Sequence, residues 1–179
     1  MTYKKTKYYQ LRKEWKELNK EYNSIKLLFD QIGIEFSHGI SKFCTDNDLG
    51  DPFTKTKVEP QNVRGNELTS SSKKLFRKIM LHTHPDKVGN EEKNTKIYTQ
   101  ATKANKSGNL QELLDAGKEA SITPDLNEMT LKELDMLEFN IKELKDKIKK
   151  IQNSYAWAWF HANPNRRNEI FYSFIGSLS

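Results

Sequence analysis

Apolar residues recur along this chain in two long helical rhythms with a shorter one between them. Tyr8, Leu11, Trp15, Leu18, Tyr22, Ile25, Phe29, Ile32 and Phe36 follow one another in alternating steps of three and four. That is the spacing of a heptad seam. Lys, Glu, Arg and Asn fill most positions between, so a helix from about Thr6 to Phe36 presents one apolar edge. Leu134, Leu137, Ile141, Leu144, Ile148, Ile151, Tyr155 and Ala158 repeat the rhythm. Thr130-x-x-Glu133 supplies a capping-box start for that second seam. Between the seams, Leu75, Phe76, Ile79 and Met80 gather on one face of a shorter amphipathic helix. Ser70, Ser71 and Ser72 are its N-cap candidates. Pro85 disfavours the α conformation for His84 and has no N–H to donate, so that helix is expected to end at or before His84.

The remaining stretches read as connections and short helices. From Ser37 to Leu68 the period is lost, and Gly39, Gly50, Pro52, Pro60 and Gly65 punctuate the chain. The expected layout is a long heptad helix over 1–36, an irregular linker over 37–67, a helical core over 68–120 and a second long helix with a short aromatic-rich one over 121–179. Within the core, a polar loop from Val88 to Glu92 precedes a helix reaching about Lys106, with Ile97, Ala101 and Ala104 on its apolar face. Gly108 suits the residue just past a helix end. Asn109-x-x-Glu112 opens a further helix carrying Leu110, Leu113 and Leu114, with Gly117 expected to close it. Ser121 to Asn127 is a connector broken by Pro124. Near the end, Tyr155, Trp157, Trp159 and Phe160 form an aromatic cluster, and Asn163-Pro164 starts a last helix with Ile170, Phe171, Phe174 and Ile175. The fold class expected is all-α. The two seams are expected to pair antiparallel within one chain as a long helical hairpin, giving a monomer; a coiled-coil dimer is the competing arrangement, because seam composition does not set oligomer state.

Composition narrows the setting. The chain of 179 residues carries a formal net charge of +6, with 30% charged residues and a mean hydropathy of −0.85. A basic balance suits nucleic acid, anionic membranes or an acidic protein partner, and does not choose among them. Cys44 is the only cysteine, which excludes an internal disulfide and a cysteine-rich zinc site. No apolar run approaches the roughly 20 residues of a membrane-spanning helix, and Met1-Thr2-Tyr3-Lys4-Lys5 leads into polar helix rather than an apolar signal core. Cytoplasm or nucleus is the expected location.

The segment Leu75-Phe76-Arg77-Lys78-Ile79-Met80-Leu81-His82-Thr83-His84-Pro85-Asp86-Lys87 resembles the J-domain family, the co-chaperones of DnaK-type ATPases. It follows the family's second helix and its His-Pro-Asp turn nearly position by position, and the likeness covers roughly residues 68 to 117. Thr83 stands where the family often has tyrosine, and no Asp-Tyr-Tyr-like first helix precedes the segment. Gly108-Asn109-Leu110 opening a further helix marks it as similar to a divergent J-like subgroup. The resemblance implies a J-like helical core, a protein without enzymatic activity or cofactor of its own, and a DnaK-type ATPase as partner. Lys73, Lys74, Arg77 and Lys78 would meet an acidic surface of that ATPase, Pro85 would fix the turn, and Asp86 would pair with an arginine of the partner. His84 would hydrogen-bond within the turn or to the partner. The C-terminal aromatic cluster is either core packing, the favoured reading, or a patch for a client protein.

Other chemistries fit these residues less well. His82-x-His84-x-Asp86 matches a spacing used by binuclear metallohydrolases, whose imidazole and carboxylate ligands activate a metal-bound water. The other histidines, His38 and His161, lie far away in sequence, and the motif follows a helical pattern rather than a strand. Asp46, Asp48 and Asp51 hint at a calcium loop but lack the central glycine and closing glutamate of an EF-hand. No metal site is expected. The basic helix and a pI near 9.2 are compatible with nucleic-acid binding, but the loop after Asp86 is too long for a helix-turn-helix. Co-chaperone is the functional expectation; a degenerate J-like scaffold and a basic nucleic-acid-binding protein are its alternatives.

Overall fold

The computed structural model describes residues 3–50, 52–53, 67–84, 86 and 92–178. The described chain is all-α: α1 is Tyr3–Asp46, α2 Ser70–Thr83, α3 Glu92–Ser107, α4 Leu110–Glu119, α5 Leu131–Gln152 and α6 Tyr155–His161. A 3₁₀ turn at Pro164–Arg166 then leads into α7, Arg167–Ser177. No strand occurs among the described residues, and none of the helices is long and apolar enough to cross a membrane.

Helix boundaries follow the capping chemistry closely. α2 is capped by Thr69, one residue before the expected serines, its hydroxyl accepting the Ser72 N–H. Asn109 caps α4 through the Glu112 N–H. Gly108, at φ 65°, takes the left-handed conformation that ends α3. Two expectations differ. α1 continues ten residues past Phe36 to Asp46, so the irregular stretch begins later than residue 37. Helical Gly39 lets Phe171 pack closely there: a Cβ would stand 3.0 Å from its ring, tight enough that the ring would have to give way. Gly117 does not close α4 but lies inside it, where a Cβ would come within 3.1 Å of the Ile122 carbonyl oxygen.

The chain forms two compact units, residues 1–17 with 61–143 and residues 18–60 with 144–179. The segment 68–120 therefore shares its unit with the start of α1 and the first half of α5. In this first unit, Leu75 and Ile79 of α2, Ile97, Ala101 and Ala104 of α3, and Leu110, Leu113 and Leu114 of α4 are buried together with Leu134, Leu137 and Ile141 of α5 and Tyr8, Leu11 and Trp15 of α1. A polar network runs through the same interior. Buried Arg12 donates to the Gln111 backbone carbonyl at 3.0 Å and to its Oε1 at 2.6 Å, and pairs with Asp115. Trp15 Nε1 donates to the other Asp115 oxygen at 3.0 Å. Asn140 Oδ1 accepts the Leu110 N–H, supplying the first turn of α4 with an acceptor from α5.

Long-range polar contacts tie the start of α1 to α5 and α4. Lys4 Nζ donates to the Met129 carbonyl just before α5, Lys7 pairs with Glu138 further along it, and Arg12 meets Gln111, whose amide donates to Leu137.

The second unit is built from rings. Phe36, Ile40, Phe43 and Cys44 of α1 form one buried cluster with Trp159 and Phe171. Phe36 contacts Trp159, Phe171 and Phe174 with centroids 5.4–5.8 Å apart, in the edge-on and tilted geometries aromatic pairs prefer. The C-terminal aromatics thus divide: Trp159 and Phe171 are core, as favoured, whereas Tyr155 and Tyr172 are exposed. The second seam is also interrupted after Gln152, where Ser154 caps the new helix α6 through the Trp157 N–H.

Candidate partner-binding site

α2 is held at both ends by residues outside it. At its start, the buried carboxylate of Glu133 gathers four side chains and a backbone donor. Glu133 Oε1 accepts from the hydroxyls of Thr69, Ser71 and Ser72, while Oε2 accepts the Thr130 N–H at 2.9 Å and the Thr130 hydroxyl at 3.2 Å. Thr130 in turn accepts the Glu133 N–H, completing the expected capping box. One charge therefore sits at the N-termini of both α2 and α5, where helix dipoles favour it. Burial pushes the Glu133 carboxyl up, but the bonds from Ser71, Thr130, Thr69 and Ser72 outweigh it and hold it below the usual range.

At its C-terminal end, α2 stops at Thr83, whose hydroxyl donates back to the Ile79 carbonyl. His84 is the C-cap in extended conformation, φ −64° and ψ 126°. Its imidazole meets the ring of Tyr98 from α3 edge-on, with centroids 5.6 Å apart and planes at 89°. Its Nδ1 accepts the backbone N–H of Asp86 at 3.3 Å. The side chain of Asp86 is 86% exposed. Pro85 and Lys87 to Glu91 lie outside the described residues.

The outward face of α2 is basic. Lys73, Lys74, Arg77 and Lys78 are all exposed, opposite buried Leu75 and Ile79. Lys73 pairs with Glu67 at 2.6 Å and Lys74 lies 4.0 Å from Glu128. Among the described residues, Arg77 and Lys78 pair with no carboxylate. The structure thus brings the four cations, His84 and Asp86 onto one helix and its terminus. Sequence reasoning missed Tyr98 and Glu133 as supports of this site. The capping box was the one signal for Glu133, and its reach to α2 lay outside local pattern.

His82 is exposed, and no group of three or more His, Cys, Asp or Glu side chains suited to a metal occurs among the described residues. Asp51 of the acidic stretch lies outside them. Chelation is expected to leave the melting temperature unchanged, since metal couples to folding only through a full ligand set; differential scanning fluorimetry with and without a chelator checks this. Comparisons of the chain with protein-family models, curated proteins and solved structures find no match.

Proposed function

We propose that this protein is a co-chaperone that binds and stimulates a DnaK-type ATPase through the basic face of α2 and the His84-Pro85-Asp86 turn. The observation that carries the reading is the exposed Asp86 carboxylate standing at the end of a helix whose outer face holds four cations. Such a surface suits an acidic partner that also offers one arginine. The cations would steer the encounter and the carboxylate would make the charge-assisted bond that fixes register. His84, braced on Tyr98 and turned through Nδ1 to Asp86, would present its remaining nitrogen to the partner. The reading assigns no covalent chemistry to this chain.

The test is steady-state ATP hydrolysis by a DnaK-type chaperone with and without the protein. Arg77→Glu is expected to weaken stimulation several-fold at low ionic strength, and the difference from wild type should narrow as salt rises, because exposed charges are screened beyond a Debye length of about 8 Å at physiological ionic strength. Wild-type protein that stimulates nothing would leave the fold as a scaffold, with the helical surface serving assembly instead.

A further inference from the structure

Tyr98 is not part of the turn, and nothing in the local sequence around His84-Pro85-Asp86 points to it. Three observations connect it to the site. α3 buries Ile97, Ala101 and Ala104, which leaves Tyr98 and Thr102, one turn apart, half-buried on the flank of that face. That flank meets the C-terminal part of α2: the Thr102 hydroxyl lies 3.9 Å from Met80 Sδ, and the Tyr98 ring meets His84. His84 itself has left the helix, so no backbone ladder fixes its imidazole; its side chain is 40% exposed.

The ring is nevertheless restrained on two sides. Nδ1 accepts the Asp86 N–H, which in a neutral imidazole places the proton on Nε2. The edge-on contact with Tyr98 then sets the plane in which that Nε2–H points. We infer that Tyr98 is a positioning residue: it holds the His84 imidazole so that, with Nδ1 turned to Asp86, Nε2–H is offered as a donor to an acceptor on the bound partner. This rests on the proposed function for its partner, but the orientation of His84 is a property of the free protein. Nothing in the contact requires the phenolic hydroxyl, since what the histidine meets is the ring.

The substitutions follow from that distinction. Tyr98→Phe keeps the ring and removes the hydroxyl, whereas Tyr98→Leu keeps apolar bulk against the half-buried flank and removes the ring. In the free protein above pH 8, nitrogen-15 and ring-proton NMR of His84 should show the Nε2–H tautomer and a ring-current shift in wild type and in Tyr98→Phe. Tyr98→Leu should lose the ring-current shift while its backbone spectrum stays native. In the ATPase assay, Tyr98→Leu should lower stimulation about fivefold, the scale of one lost aromatic contact, and Tyr98→Phe should stay within about twofold of wild type. A ring-current shift that survives Tyr98→Leu, or a Tyr98→Leu protein that stimulates as wild type does, overturns the inference. Wild type that stimulates no ATPase overturns the co-chaperone reading instead, and the NMR comparison then decides the orientation of His84 by itself.

Discussion

Replacing Glu133 by alanine is expected to lower stability by about 2–4 kcal/mol, the scale of losing several hydrogen bonds to a buried charged group. The carboxylate accepts from Thr69, Ser71 and Ser72 on one side and from Thr130 on the other, so its loss frees the starts of two helices at once. Ser72 is itself buried and would be left without that acceptor. Glu133→Gln keeps the size and some of the bonds, so it should fall between wild type and alanine. The carboxyl is held below its ordinary value of 4.5 in the folded state. Its contribution is therefore complete above that value and is lost as pH falls through the folded value, below 4.5. Urea denaturation followed by far-UV circular dichroism at pH 7 and pH 4 checks both parts. The wild type should lose stability on acidification by more than Glu133→Gln does.

Asp86→Asn is expected to remove stimulation of the ATPase and to leave the fold alone. The side chain is 86% exposed. A surface change of this kind usually alters stability by less than about 0.5 kcal/mol. Asparagine keeps the shape and retains the backbone N–H that His84 accepts. What disappears is the charge. Losing one member of a desolvated charge pair costs binding about 2–5 kcal/mol, because the opposite charge is left buried and unpaired. That is roughly 30-fold to several thousand-fold in affinity, at about 1.4 kcal/mol per tenfold. Function should thus fail while the melting temperature holds, which separates this variant from Glu133→Ala, where both should fall.

Much of the fold was legible because local rules and burial agree. The i, i+4 pairing of Leu75 and Ile79 marked the buried face of α2, and Ile97, Ala101 and Ala104 marked that of α3. Asn109, Thr130 and Gly108 announced their helix ends through side-chain chemistry that acts over three or four residues. What pattern could not supply was longer-range. Gly39 reads as a breaker until Phe171, more than a hundred residues later, is found against its backbone. The contacts that hold the start of α1 beside α5, Lys4 at Met129 and Lys7 at Glu138, are likewise absent from either seam. Arg12 reads as a surface cation between seam positions, yet it is buried by Gln111 and Asp115 from α4. The same holds at the site. The cations, His84 and Asp86 are contiguous in sequence, so their placement on one helix and at its end was legible; Tyr98 and Glu133, which meet His84 and the start of that helix, come from other helices.

The central claim is tested most directly by the steady-state rate of ATP hydrolysis of a DnaK-type chaperone, measured with wild-type protein and with Asp86→Asn at equal concentration. The account predicts a rate increased by the wild type and unchanged from the basal value with Asp86→Asn, both proteins having the same melting temperature. Equal stimulation by the two would contradict it, as would a wild type that leaves the basal rate unaltered.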